Sequence, residues 1–142
     1  MITKNLEQTH SLAGDFLKSL KSNKMAIVIL LYGDLGSGKT SFVQGIAKRL
    51  GLKDNIISPT FVIEKIYKLP KNQKFKQLIH IDAYRLDSYT EMLALGWNDI
   101  LKNPDNLIFI EWPERIKEIL PKGAKKIFFT FLDEQRRMVE IK

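Results

Sequence analysis

Hydrophobic positions along the chain change period several times, and each change marks an element. Between Asn5 and Leu20 the apolar residues Leu6, Leu12, Ala13, Phe16, Leu17 and Leu20 recur at the spacing of one helix face, which predicts an amphipathic helix covering a sheet. Gly14 lies inside it at a cost of about 1 kcal/mol relative to alanine. After the polar turn Lys21-Ser22-Asn23-Lys24, Met25 to Tyr32 is apolar without a break and predicts a strand. Helical spacing returns from Lys39: Phe42, Val43, Ile46, Ala47 and Leu50 share a face, Lys48 and Arg49 occupy the last turn, and Gly51 stops the helix.

Phe61 to Leu69 and Phe75 to Asp82 are rich in aromatic and β-branched residues around Pro70-Lys71-Asn72-Gln73, which predicts a β-hairpin. Asp87-Ser88 caps a short helix through Tyr89, Met92, Leu93 and Leu95; Gly96 breaks it, and a second short piece runs from Trp97 to Leu101. Leu107 to Trp112 is another strand. Pro113 opens a short helix to Leu120, and Lys126 to Leu132 with Arg136 to Ile141 forms a terminal hairpin across Asp133-Glu134-Gln135. Strands alternating with helices predict an α/β fold.

The chemistry sits where the first strand ends. Gly33-Asp34-Leu35-Gly36-Ser37-Gly38-Lys39-Thr40 follows Tyr32 directly and opens a helix, the context that a G-x-x-x-x-G-K-[ST] phosphate loop requires. Backbone N–H groups must converge on phosphate oxygens, and a Cβ would obstruct that approach at the glycines. Lys39 supplies a mobile charge for the β- and γ-phosphates, and the Thr40 hydroxyl is a Mg²⁺ ligand. Two further apolar strands end in carboxylates: Leu78-Ile79-His80-Ile81-Asp82, with Asp82 as Walker B acid, and Leu107-Ile108-Phe109-Ile110-Glu111.

Composition narrows the classes. The chain has no cysteine, which excludes thiol nucleophiles and thiolate metal sites, and His10 and His80 are too few for a histidine cluster, so a metal here is oxygen-bound Mg²⁺. His80 reads as structural. No apolar run reaches membrane-spanning length and the N-terminus lacks a signal-peptide core, so a soluble cytoplasmic protein is expected. The net charge of +7 is compatible with an anionic partner and with a lysine-rich solvated surface. Lys65, Lys68, Lys71, Lys74 and Lys76 fall in a segment with no acid, which suits either docking of an anionic partner or protection of a sheet edge.

The phosphate loop occurs with Ser58-Pro59-Thr60-Phe61, His80-Ile81-Asp82-Ala83-Tyr84-Arg85-Leu86 and Glu111-Trp112-Pro113-Glu114, in that order. In this combination the sequence resembles the TsaE (YjeE) family of bacterial ATPases over nearly its whole length, as a single domain spanning 1–142. The resemblance implies a P-loop NTPase-like three-layer α/β fold with a mixed, mostly parallel central sheet and antiparallel hairpins. It implies ATP and Mg²⁺ as cofactors and TsaB and TsaD as partners. The activity it implies is hydrolysis, slow alone and stimulated by those partners, in making threonylcarbamoyladenosine on tRNAs that read codons beginning with A, with any tRNA contact made through the complex.

By the same resemblance, Gly33, Asp34, Leu35, Gly36, Ser37, Gly38 and Lys39 bind the ATP phosphates, Thr40 and Glu111 ligate Mg²⁺ beside Asp82, and Thr60 lies in a switch-like segment. Thr9, Glu114 and Arg136 fall at nucleotide contacts; as plain residues they are a helix-surface threonine, a first-turn acid and a solvated hairpin charge. Trp112 is weighed as a stacking side chain against a core tryptophan. The rivals are a small P-loop kinase, for which no arginine-rich lid segment is found, and a nucleotide-gated RNA-binding module with little turnover. A regulatory GTPase is disfavoured because Asp82-Ala83-Tyr84-Arg85 is not an Asp-x-x-Gly switch.

Overall fold

The computed structural model describes residues 1–53, 56, 63–71 and 73–142. In chain order these form β1 (Ile2–Thr3), α1 (Leu6–Ser19), β2 (Ile27–Tyr32), α2 (Lys39–Arg49), β3 (Glu64–Lys68), β4 (Gln77–Asp82), α3 (Tyr89–Ala94), α4 (Trp97–Lys102), β5 (Asn106–Glu111), a 3₁₀ segment (Pro113–Ile119), β6 (Lys125–Phe131) and β7 (Arg137–Ile141). The strands make one seven-stranded sheet in the order β1-β7-β6-β2-β5-β4-β3. β6, β2, β5 and β4 run parallel, while β3 closes one end and β7 and β1 the other in antiparallel pairing. The mixed, mostly parallel α/β sheet with antiparallel hairpins is therefore as the resemblance implies.

Burial on both faces explains why β2, β4 and β5 lack an alternating polar pattern. Ile29, Leu31, Leu78, Leu107, Phe109 and Ile127 meet Ala13, Phe16, Phe42, Val43 and Ile46 of α1 and α2 on one side. Val28, Leu30, Ile79, Ile81, Ile108 and Ile110 meet Leu86, Met92, Trp97 and Ile116 on the other. Each fully buried large side chain contributes about 1.5–3 kcal/mol relative to an exposed one. α1 and α2 pack closely because Gly45 has no side chain: a Cβ there would stand 3.0 Å from Ala13 Cβ and from His10 Cα.

Local chemistry sets the ends. Asn5 caps α1 from an extended conformation, its side chain accepting a 2.9 Å hydrogen bond from the Gln8 amide, so the predicted helix starts one residue later than its first polar residue. Gly96, in the left-handed region at φ 84°, separates α3 from α4. One strand is new and one expectation changes. Ile2–Thr3, which no periodicity marks, pairs with Arg137 and Met138 of β7, and the segment after Pro113 is 3₁₀ rather than α, with Ile116 off helical geometry.

The expected basic hairpin is present as β3 paired with β4 in the register Glu64 to Ile81 through Lys68 to Gln77; Phe61 and Val62, predicted in its first strand, lie outside the described residues. β3 is a sheet edge, so exposed Lys65 and Lys68 stand on unpaired backbone. Among the described residues, neighbouring elements answer two of the five lysines: Lys76 lies 3.5 Å from Asp105, and the Lys74 ammonium donates to the Leu20 carbonyl. Among the described residues, no helix is long and apolar enough to cross a membrane.

Candidate nucleotide site

A cleft of 660 Å³ opens where β2, β4 and β5 end, and Gly36, Gly38, Lys39, Thr40, Asp82, Glu111 and Trp112 line it. The loop between β2 and α2 turns on glycine geometry. Gly33 has φ 147°, and a Cβ on it would come within 2.6 Å of the Phe129 carbonyl oxygen and Ser37 Oγ. Gly38, at φ 106°, is the N-cap of α2, with no side-chain cap, so the first-turn amides of that helix and its positive dipole end face an incoming anion.

Lys39 is the charged centre of the cleft. Only 5% exposed, its Nζ donates to the Gly33 carbonyl at 2.5 Å, lies 4.0 Å from Glu111 Oε1 and sits 4.3 Å from the Trp112 ring centroid. Glu111 and Asp82 are register partners on β5 and β4, so their side chains emerge side by side on the face shared with α2. Asp82 Oδ1 accepts a 3.0 Å hydrogen bond from the Tyr84 amide. Burial pushes the Asp82 carboxyl above its ordinary range, helped by the Glu111 charge and opposed by the Tyr84 amide, His80 and Lys39.

Thr40, Asp82 and Glu111 are an all-oxygen donor set lining one cleft beside the glycine loop. That set fits Mg²⁺, which keeps waters and takes substrate oxygens in place of a complete protein cage.

The other expected residues divide. Gly33, Asp34 and Ser37 shape the loop from behind the cleft: the Ser37 amide donates to the Asp34 carbonyl at 3.1 Å, while Leu35, 93% exposed, lies at the rim. Thr9 lines the cleft, yet its hydroxyl donates to Thr3 Oγ1 at 3.0 Å, so it is a buried tie between β1 and α1 and not a surface residue. Glu114 is exposed on the 3₁₀ segment outside the lining, and its charge adds to burial in raising the Tyr32 hydroxyl pKa. Arg136 also points away: its Nε donates to Asp133 Oδ2 at 2.6 Å, part of the network that holds the Asp133 carboxyl down to about 2. Thr60, with Ser58, Pro59 and Phe61, lies outside the described residues.

Arg137 and His80 enter the site without having been assigned to it, and Trp112, weighed as a stacking side chain against a core tryptophan, joins them. Arg137, the first residue of β7, lines the cleft, whereas Arg136 stands in the turn before it, bonded to Asp133. Arg137 shares the parity of buried Val139 and passes so close to Gly38 that a Cβ there would lie 3.5 Å from Arg137 Cγ. Trp112 is no core residue: with φ 57° it leaves β5 in the left-handed region and packs beside Tyr84 at 5.2 Å, whereas Trp97 is the fully buried tryptophan. His80, wholly buried, has Nε2 2.6 Å from Glu111 Oε2.

Residues 3–139 match the family model described as threonylcarbamoyl adenosine biosynthesis protein TsaE. The chain is 40% identical to the tRNA threonylcarbamoyladenosine biosynthesis protein TsaE of Rickettsia typhi, in an alignment covering 100% of this chain and 94% of that protein. It is 32% identical to the protein of that name from Haemophilus influenzae, over 87% of this chain and 75% of the relative. The crystal structure of Bacillus subtilis YdiB superposes with a TM-score of 0.76 at 28% identity, covering 99% of this chain and 82% of that one. With the fold, the loop and the family match in agreement, the chain belongs to the TsaE family.

Proposed function

We propose that this protein is a Mg²⁺-dependent ATPase that supports threonylcarbamoyladenosine modification of tRNA, acting in the cytoplasm with TsaB and TsaD. The observation that carries this is the convergence of Lys39, Thr40, Asp82 and Glu111 on one cleft at the mouth of the glycine loop. The names of the similar proteins supply the pathway. When bound, Mg²⁺ supplies charge neutralisation for phosphoryl transfer to water.

The chain's residues do the rest. Loop amides from Gly33 to Lys39 bind phosphate oxygens, and the Lys39 ammonium, already held beside them by the Gly33 carbonyl, adds a positive charge that stays with the leaving phosphates. Thr40, Asp82 and Glu111 present oxygens to the metal, and Trp112 walls the cleft beside Lys39. No arginine-rich lid is evident in the sequence to close over an acceptor, which favours hydrolysis that depends on a partner over transfer to a small molecule.

Phosphate release from ATP, measured on the full chain alone and with TsaB and TsaD added together, tests this. Slow release alone and acceleration by the pair are expected. Full activity indifferent to the pair, or parental activity in a folded Lys39→Ala variant, would overturn it.

A further inference from the structure

The proposed metal and phosphate groups leave one buried polar side chain at the site without a role. His80 lies on β4 in register with Phe109 of β5, and strand alternation puts it on the same face as Asp82 and Glu111. It is wholly buried; its Nε2 stands 2.6 Å from Glu111 Oε2, while its Nδ1 is buried with no hydrogen-bond partner among the described residues.

That arrangement fixes the proton. A proton on Nδ1 alone would bury an unsatisfied donor while setting the Nε2 lone pair against a carboxylate oxygen. With the proton on Nε2, Nε2–H donates to Oε2 and the carboxylate has one oxygen held.

The other oxygen, Oε1, is then left 4.0 Å from Lys39 Nζ, beyond a direct hydrogen bond, and Lys39 donates to the Gly33 carbonyl instead. The terminal torsion of a glutamate is soft, so an unheld Glu111 can turn an oxygen onto Lys39. Such a closed pair would occupy at once the cation meant for phosphate and the carboxylate meant for metal.

We propose that His80 is a positioning residue: by donating from Nε2 to Glu111 it keeps one carboxylate oxygen presented to the cleft and keeps Glu111 from closing onto Lys39. This rests on the Mg²⁺–nucleotide assignment of the cleft. Partners of this kind behind a metal ligand typically change metal affinity by about 10–100-fold when removed.

Two measurements on the full chain test it. In the nucleotide-free protein, ¹⁵N spectra of the histidine ring should show His80 Nε2 carrying a proton; an Nε2 without one overturns the proposal. Calorimetry of a non-hydrolysable ATP analogue across a Mg²⁺ series should show His80→Leu needing about tenfold more Mg²⁺ than the parent for the same affinity. His80→Gln, whose amide can donate from nearly the same place, should return to within about threefold of the parent. Equal losses in both variants would reduce His80 to packing, and a parental Mg²⁺ requirement in His80→Leu would remove it from the site; either sinks the proposal while a Mg²⁺-dependent parent keeps the cleft assignment. A parent with no Mg²⁺ dependence would bring down that assignment and the proposal with it.

Discussion

Two regions of this molecule are dense in charge and use it in opposite ways. At the cleft, Lys39 and Glu111 are each about 5% exposed and are held by named partners, the Gly33 carbonyl for Lys39 and His80 for Glu111. On the β3–β4 hairpin the lysines stand in solvent, and the Lys76–Asp105 pair has side chains 78% and 43% exposed. Burying a charge is expensive unless it is paired and hydrogen-bonded, so a buried network survives only where something repays it. Exposed charges cost little and contribute little. Site chemistry should therefore respond steeply to changes at the cleft and faintly to changes at the hairpin.

The steepest response is expected at Lys39. Replacing it with alanine removes the loop's cation, and phosphate release in the presence of TsaB and TsaD should fall by about a hundredfold or more. Circular dichroism should show the fold retained, because α2 keeps its buried Phe42, Val43 and Ile46. A folded variant hydrolysing at the parental rate would erase the contrast between the regions.

Next come the paired strand-end acids. Asp82→Asn and Glu111→Gln should each raise the Mg²⁺ concentration needed for half-maximal turnover by about tenfold or more, since each removes a charged oxygen from the proposed donor set. An unchanged Mg²⁺ titration for both would separate the carboxylates from the metal, and loss at Glu111 alone would demote Asp82 to a supporting position.

The sequence disclosed these elements unevenly, for physical reasons. β2 and β5 are buried on both faces, so their apolar runs are continuous and easy to see, and the glycine loop carries its own geometry in its residue types. His80 gave no signal because its partner lies 31 residues away on another strand. Arg136 and Arg137 are adjacent, and which one faces the cleft depends on where β7 begins after the turn at Asp133, a one-residue matter that reverses the face. Ile2–Thr3 is too short for any period to show.

A smaller effect should appear at Glu64, the hairpin's own half-buried acid. Burial raises its pKa, and Oε2 is buried without a hydrogen-bond partner among the described residues, in contrast to Glu111. A carboxyl whose folded pKa lies above its unfolded value counts against the fold when ionised, so the penalty is full above the raised pKa and fades as pH falls into the ordinary carboxylate range. Glu64→Gln should thus unfold later than the parent at pH 7, by about 1 kcal/mol or less given its solvent contact, with the gap closing near about pH 4. A gap that widened on acidification would contradict the sign.

The faintest response is expected from the hairpin lysines, and there the absence of an effect on chemistry is the informative result. Lys68→Gln, Lys71→Gln and Lys74→Gln together remove three exposed charges, one of which donates to the Leu20 carbonyl from an exposed position. Stability should change by no more than about 0.5–1 kcal/mol and MgATP affinity should stay parental, because none of the three lines the cleft. The edge itself should change more: β3 is the outermost strand, and Ile66 on it is 52% exposed, so the repulsion that keeps a second chain from pairing there is weakened. Light scattering during slow heating should therefore show earlier aggregation of the triple variant at equal unfolding midpoint. Unchanged aggregation, with weaker and less salt-sensitive association with TsaB and TsaD or with tRNA, would instead make the hairpin a docking surface and give its charges a function after all.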